Sequence, residues 1–337
     1  MKILAIESTC DETAAAVVEG DVFGIRVLSN VVASSAQIYT KYGGIVPEVA
    51  AREQIKSILP VLTEALEGTK IDEIEAIAVA YGPGLIGSLL VGIETARALC
   101  LAWNKPLIKV NHIEAHVAAN WIVGETRMSV PALPAVGLII SGGHTDIVKM
   151  EGFKKWEWVG GTMDDAAGEA FDKVARVLGL PYPGGPSIQK MAEEANENIV
   201  VSKLPRPMIN DKTLKMSFSG LKAAVAKLAH GGLEAEQTKA MAREFNDAVA
   251  EVLVKKTALA LDSFRPRSLL VAGGVAANKI IRERLHEMAM SKGVDIFLPE
   301  IKYCGDNAAM VGAAAILKPE KAEISNLSPE PGLMILE

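Results

Sequence analysis

The sequence predicts an α/β protein built from two copies of one lobe, with a ligand cleft between the lobes. Three observations carry this prediction. Short runs rich in Val and Ile alternate with longer stretches of 3.6-residue periodicity, as strands alternate with covering helices. The chain has 337 residues, long enough for two packed lobes. The pattern also restarts near the middle. A polar inter-strand turn at residues 7–13 is matched by one at 141–146, and an apolar strand running into glycines and a helix occurs as AIAVAYGPGLIG and again as LLVAGGVAAN.

In order, residues 2–8, 13–19 and 23–33 read as three strands joined by tight turns. Residues 47–67 read as a helix burying one face made of Val49, Ile55, Ile58, Leu59, Leu62 and Leu66. A strand at 74–80, a helix at 87–103 and a strand at 106–110 lead into a histidine-bearing helix. The second half predicts strands at 135–141 and 145–151, then helices at 166–178, 186–195, 219–228 and 235–263. A strand at 267–272, a helix from Asn278, a short strand at 294–297 and a helix at 306–317 follow. The expected division is a first lobe over 1–110 with the segment 306–325 packing on it, a second lobe over 111–305 carrying the histidine helix and a nucleotide site, and a surface tail over 326–337.

Half the residues are hydrophobic and 23% are charged, a balance suited to filled cores. Net charge is −6 and the pI is near 5.6, which excludes RNA binding by bulk charge and requires a local basic patch or a basic partner. Cys10, Cys100 and Cys304 stand far apart with no CxxC, which argues for a reducing compartment. The N-terminus enters a strand directly, with no signal-peptide pattern, and no run of about 20 residues avoids Gly, Pro and charge, so neither export nor a membrane span is expected. The expected location is the cytoplasm.

His112 and His116, two of only five histidines, are four residues apart and share one helix face, a spacing that suits a divalent metal. Spacing alone equally fits two solvated histidines. The pair is not a zinc-protease motif, because Glu114 lies about 200° round the helix from His112 and points away from the metal face. Asp306 opens the last predicted helix; it is either that helix's N-cap or a carboxylate completing a metal site with the two histidines. Cys304 is a weaker candidate ligand.

Other segments have the chemistry of a nucleotide site. Ser141-Gly142-Gly143-His144 is a glycine turn whose N–H groups could meet an anion, or an ordinary hairpin. Asn278, after Gly273-Gly274, could bond a base or ribose or simply cap its helix. Asp164 and Asp165 suit a helix N-terminus. Asp172 lies deeper and could accept ribose hydroxyls or pair with Arg176. Tyr182-Pro183-Gly184-Gly185-Pro186 is a rigid turn. Asp11 and Glu12 could hold Mg²⁺ or steer a substrate. Lys203, Arg206, Lys212, Lys215 and Lys222 form the densest basic stretch, able to touch phosphates or simply to be solvated.

IESTCDETAAAVV, YGGIVPEVAARE, AYGPGLIGSLLVG, NHIEAH, ISGGHTDIV, DDAAGEAFDKVARVLGLPYPGGP, SFSGLKAAV, AGGVAANKIIRERL and CGDNAAM stand in the order found in the TsaD family. Over nearly the whole chain the sequence resembles that family, the bacterial-type tRNA N6-adenosine threonylcarbamoyltransferases once described as O-sialoglycoprotein endopeptidases. The resemblance implies the actin/Hsp70/sugar-kinase (ASKHA) fold. It implies transfer of a threonylcarbamoyl group from threonylcarbamoyl-AMP to N6 of the adenosine 3′ of the anticodon in tRNAs reading ANN codons.

By the same resemblance the metal ligands are His112, His116 and Asp306, holding Fe²⁺ or Zn²⁺, and Mg²⁺ can accompany bound nucleotide. The substrate contacts are Ile139, Ile140, Ser141, Gly142, Gly143, Asp172, Gly185 and Asn278. The implied partners are tRNA, a TsaB-like paralogue and a TsaE-like ATPase, with a TsaC-like enzyme making the adenylate. Glu12 or Asp11 is the expected general base, and polarisation of the acyl carbonyl at the metal the expected chemistry. Departures are the missing histidines around Tyr42 and Gln54, Ala51 in place of serine, and Gln189 in place of an acid. Competing readings are an actin-fold ATPase or kinase, a metalloendopeptidase, and a non-catalytic scaffold.

Overall fold

The computed structural model describes residues 1–39, 44–124 and 129–335, so Tyr42 and the start of its YGG block lie outside the described residues. Two compact units emerge: unit 1 is Met1–Pro131 with Lys302–Glu337, and unit 2 is Ala132–Ile301.

Unit 1 begins with β1 (Lys2–Glu7), β2 (Glu12–Asp21) and β3 (Gly24–Ser34), then α1 (Ala36–Tyr39), α2 (Pro47–Ala65), β4 (Ala76–Gly82), α3 (Ile86–Trp103), β5 (Leu107–Asn111) and α4 (His112–Ala118). Unit 2 holds β6 (Ala135–Ile140), β7 (Thr145–Gly152), β8 (Lys155–Gly161), α5 (Ala167–Val177), α6 (Gly184–Glu193), α7 (Ser219–Leu228), α8 (Ala235–Phe264), β9 (Ser268–Ala272), α9 (Lys279–Ser291) and β10 (Asp295–Phe297). The chain then returns to unit 1 with α10 (Ala308–Leu317) and β11 (Glu320–Ala322).

The duplication is visible in the sheets. Unit 1 has the order β3-β2-β1-β4-β5-β11 and unit 2 the order β8-β7-β6-β9-β10. In each, the first three strands pair antiparallel and the next two add in parallel. Strand β11 extends only the first sheet, antiparallel to β5. Strand β8 was not foreseen from KWEWVGG, because its outward positions are charged and it lies at a sheet edge.

Side-chain alternation decides how unit 1 packs. Leu4, Ile6, Ile77 and Val79 face Ile58 and Leu62 of α2 and Leu89 and Ile93 of α3. Helix α10 packs on β1 and β2 and is buried along its whole length; a Cβ on Gly312 would come within 2.4 Å of Val18, so glycine lets the helix lie close. Helix α3 is apolar and long enough to cross a membrane by composition alone, yet it packs Leu89, Ile93, Ala96 and Cys100 into the core and carries an Arg97–Glu94 ion pair.

Three expectations require correction. The boundary falls after Pro131, and not after residue 110, because the histidine helix packs on α10 and β5 and so belongs to unit 1. The inward face of α2 is Ala50, Gln54, Ile58, Val61, Leu62 and Ala65; Ile55 and Leu59 are 63% and 67% exposed. The described part of the tail is not a surface extension, since Leu327, Leu333 and Ile335 are buried.

In unit 2, Asp164 does not serve the helix that follows it. Its carboxylate accepts from Ser217 Oγ at 2.5 Å, Ser219 Oγ at 2.7 Å and the Phe218 amide at 2.8 Å, so it caps α7, whose own N-cap Phe218 supplies no side-chain bond. Burial pushes this carboxyl up, but the Ser217 and Ser219 hydrogen bonds and the amides outweigh burial and hold it at about 2. Asp164→Ala is expected to cost about 1 kcal/mol, as loss of an N-cap does, with part of the ionic contribution screened at this exposed position. Because the folded value lies below the unfolded value of about 3.9, the difference from wild type is full above about pH 4 and fades as pH falls toward 2. Urea titrations at pH 7 and pH 2.5 check both the size and the fading.

Candidate metal centre and nucleotide turns

Strand β5 delivers Asn111, whose side chain caps α4 by accepting from the Ile113 amide at 2.9 Å. This starts the helix so that His112 and His116 share a face; their rings meet edge-on at 4.7 Å. Asp306 comes from the returning segment. Asn307, and not Asp306, caps α10, accepting from the Met310 amide at 3.1 Å. Asp306 Oδ1 therefore lies 3.2 Å from His116 Nε2 and 3.6 Å from His112 Nε2.

One ligand atom from each residue lies within 4.8 Å of the other two. Ligands about 2.0–2.2 Å from a tetrahedral ion sit roughly 3.3 Å apart, so the two His–Asp separations fit a shared cation. Two imidazoles and a carboxylate suit Fe²⁺ or Zn²⁺. Behind His112, Nδ1 lies 3.0 Å from the fully buried Glu7 carboxylate and 3.2 Å from Thr9 Oγ1. With Nδ1–H donated to Glu7, Nε2 is the nitrogen turned to the metal side, and a cation binding there would displace its proton. Burial disfavours the His112 imidazolium, but Glu7 and Asp306 outweigh it and raise the group to about 9. His116 Nδ1 is buried with no hydrogen-bond partner.

Glu114 points elsewhere, as its position round the helix predicts, and pairs with Lys318 Nζ at 3.0 and 3.1 Å. It is thus withheld from protease-type base chemistry. The turn bearing Asp11 and Glu12 is stapled by buried Gln54, whose amide donates to the carbonyls of Ser8, Cys10 and Glu12 at 3.2, 3.2 and 2.9 Å. Burial, then Asp306 and Asp11, push Glu12 up to about 10, and burial also raises Asp11. Burial raises the Cys10 thiol further still, so it is not a thiolate nucleophile.

In unit 2 the glycine turns pack on one another. The Gly168 amide donates to Ser141 O at 3.2 Å, and a Cβ there would lie 2.6 Å from that oxygen. Gly273 has φ +93° and its Cβ would lie 2.5 Å from Ile140 O, so only glycine suits the end of β9. Gly142 and Gly143 are exposed, with nothing within 4 Å of a built Cβ.

Ile139 and Ile140 are fully buried, so any substrate contact they make is through backbone. Asp172 accepts from the Gly184 amide at 2.7 Å, which seats the turn carrying Gly185 on α5. Asn278 caps α9, accepting from Ile281 N at 3.1 Å, and donates to Asn246 Oδ1 at 2.9 Å, so its helix-capping role is observed. Gln189 accepts from Lys279 N at 3.1 Å, an additional tie to the start of α9.

Sequence reasoning missed Glu7, Asn111, Asn307 and Gln54. A signal existed for Glu7, the lone acid closing an otherwise buried apolar strand. For Asn111 it was the Asx position just before the helix.

Two copies of one strand order, the first copy carrying a His-His-Asp set, define an actin/Hsp70/sugar-kinase-type fold with a candidate metal centre. The chain resembles full-length HypF in its phosphate- and nucleotide-bound form (TM-score 0.58, 13% identity, 94% of this chain and 46% of that one) and T. kodakarensis HypF (TM-score 0.61, 13% identity, 94% and 47%). It spans about half the length of those chains, and the likeness is one of fold.

The family profile described as TsaD, tRNA N6-adenosine threonylcarbamoyltransferase, matches residues 26–313, and the chain belongs to that family. Proteins named tRNA N6-adenosine threonylcarbamoyltransferase are 46% identical in Moorella thermoacetica (97% of this chain, 94% of that one), 47% in Clostridium perfringens (97% and 95%) and 43% in Bacillus subtilis (99% and 95%).

Proposed function

We propose that the protein transfers the threonylcarbamoyl group of threonylcarbamoyl-AMP to N6 of the adenosine 3′ of the anticodon in tRNAs reading ANN codons. The observation that carries this reading is the convergence of His112 Nε2, His116 Nε2 and Asp306 Oδ1 in a chain of this family. A divalent cation held there, Fe²⁺ or Zn²⁺, would supply Lewis-acid polarisation of the acyl carbonyl.

The chain's own groups do the rest. Glu7 holds the His112 ring and its tautomer. Asp11 and Glu12, both raised by burial beside Asp306, are the carboxylates placed to accept the proton the adenine amine releases. The amides of the exposed residues Gly142 and Gly143 would offer donors to the phosphate of the departing AMP. Mg²⁺ can accompany that nucleotide.

We further assign a TsaB-like paralogue and a TsaE-like ATPase as partners, acting with the protein in the cytoplasm. Ile55 and Leu59 on α2 and Ile86 and Leu90 on α3, all exposed, support a partner-covered face on unit 1.

The test combines the protein with threonylcarbamoyl-AMP and unmodified tRNA, with and without the two partners. Threonylcarbamoylated adenosine is the expected product, and its absence in every combination overturns the reading. Separately, Glu7→Gln should weaken metal affinity about 10–100-fold in a chelator competition. Unchanged affinity would remove Glu7 from the site.

A further inference from the structure

An acidic enzyme that takes tRNA as substrate needs a place where its field is locally reversed. The segment 194–218, between α6 and α7, contains no helix or strand, yet the structure fixes it at several points. Lys256 on α8, fully buried, donates its ammonium protons to the carbonyls of Asp211 and Thr213, both at 2.7 Å. Arg206 is held by Glu251 at 2.9 Å and by Glu244, which also accepts from the Leu204 amide at 2.8 Å. Met216 is bonded through its backbone to Gly161 and Met163, each at 2.8 Å, and Asp164 grips Ser217 and Ser219. Long irregular loops in compact domains are uncommon and usually functional.

The cations of this stretch divide into two classes. Arg206 and Lys256 are spent on holding the loop. The ammonium groups of Lys203, Lys212, Lys215 and Lys222 are exposed and enter no ion pair or hydrogen bond within the described residues. Elsewhere in unit 2, Lys149, Lys155, Lys173, Lys239 and Lys292 are each paired with a carboxylate, while Lys154, Lys190, Lys227, Lys255 and Lys279 form no such pair among the described residues. What sets the loop apart is four such cations within twenty residues on one fixed segment. The neighbouring Asp211 carboxylate accepts from the Thr213 amide at 2.7 Å and makes no ion pair with a lysine among the described residues, although Lys256 and Lys215 are near enough to help lower its pKa. The loop is thus a rigid mount that carries unpaired positive charge outward, with its ordering cost met before a ligand arrives.

We propose that Lys203, Lys212, Lys215 and Lys222 form the surface that grips the phosphate backbone of the tRNA. The proposal rests on the tRNA-transfer reading and names the residues that hold that substrate. The same rigid segment runs through Asp164 to α5, whose Gly168 amide bonds the Ser141 turn, so backbone contacts and the nucleotide turn belong to one unit.

The test is the triple variant Lys212→Ala, Lys215→Ala, Lys222→Ala in the full-length protein, with its partners present. Filter binding of unmodified tRNA across a KCl series should show the slope of log affinity against log salt reduced by about 2–3, and affinity near 150 mM salt lowered roughly 10–100-fold. KM for tRNA should rise, while KM for threonylcarbamoyl-AMP and the rate at saturating tRNA hold. Arginine at the same three positions should restore binding. A control variant, Lys149→Ala with Lys292→Ala, should leave the slope unchanged. Unaltered affinity and slope in the triple variant, with normal unfolding, would overturn the proposal. So would loss of a partner protein with tRNA binding intact, which would mark the loop as a protein contact. Because threonylcarbamoyl-AMP is measured separately, failure of this proposal is distinguishable from failure of the transfer reading.

Discussion

Replacing His116 with alanine is expected to strip the divalent cation from the protein and lower threonylcarbamoyl transfer on the order of 1000-fold, with the fold retained. The rate estimate follows from a Lewis-acid contribution of several kcal/mol, each ~1.4 kcal/mol being tenfold. Retention of the fold follows from His116 itself. Its Nδ1 is buried without a hydrogen-bond partner, so in the metal-free protein this ring is a poor source of stability, and its removal also removes an unsatisfied polar atom. The loss should be visible without any activity assay. Added metal should raise the melting temperature of the wild type and leave that of His116→Ala unmoved, because only a ligand bound to the native state stabilises it. Full metal content in the variant, measured by elemental analysis of dialysed protein, would refute the ligand assignment. Asp306→Ala should behave alike, since Asn307 and not Asp306 caps α10 and the helix survives the change.

The second large effect is on stability. Deleting residues 327–337 should destabilise unit 1 by on the order of 5 kcal/mol, from three buried apolar side chains at about 1.5–3 kcal/mol each, an upper figure against a compact unfolded chain. That is comparable to the whole stability of many domains. Leu327, Leu333 and Ile335 are 6%, 4% and 7% exposed. The backbone of this segment is tied as well. Glu330 N donates to Tyr81 O at 2.8 Å, Pro331 O accepts from Gly84 N at 3.2 Å, and Arg97 bonds Leu327 O. The Asn111 side chain that caps the histidine helix also donates to Met334 O at 2.9 Å. Truncation should therefore loosen the metal helix along with the core. The single change Leu333→Ala, at about 2–4 kcal/mol, gives the same direction in a chain that still folds. An unchanged denaturant midpoint in the truncated protein would show that the segment contributes nothing.

The polar turns at 7–13 and 141–146, with the strand-into-glycine runs at 76–87 and 269–278, foreshadowed the duplicated sheets, because period-two burial and turn residues are local properties. The histidine spacing and the outward aim of Glu114 were legible for the same reason: both follow from helix geometry. What was not legible depends on distance along the chain. Asp306 and Asn307 are adjacent and either could cap a helix; only the packed structure shows that Asn307 does, leaving Asp306 for the histidines. Glu7 and His112 are 105 residues apart, and no periodicity links them. Ile55 and Leu59 were read as core because a helix with apolar residues on two sides has no unique inward face. Gln54, apparently polar surface, is instead buried for the three carbonyls it bonds. The terminal segment looked like an extension because its apolar residues are too few and too scattered to form a pattern of their own.

Unit 2 is one uninterrupted stretch, Ala132–Ile301, inserted within unit 1. During synthesis all of unit 2 leaves the ribosome before Asp306, α10 and β11. The inserted unit can therefore fold on its own contacts while the first sheet still lacks its covering helix and its last edge strand. The three candidate ligand positions are likewise brought together only after all of unit 2 has been made, when Asp306 meets histidines made some 190 residues earlier. A divalent cation taken up there would therefore report on chains in which unit 2 is already complete.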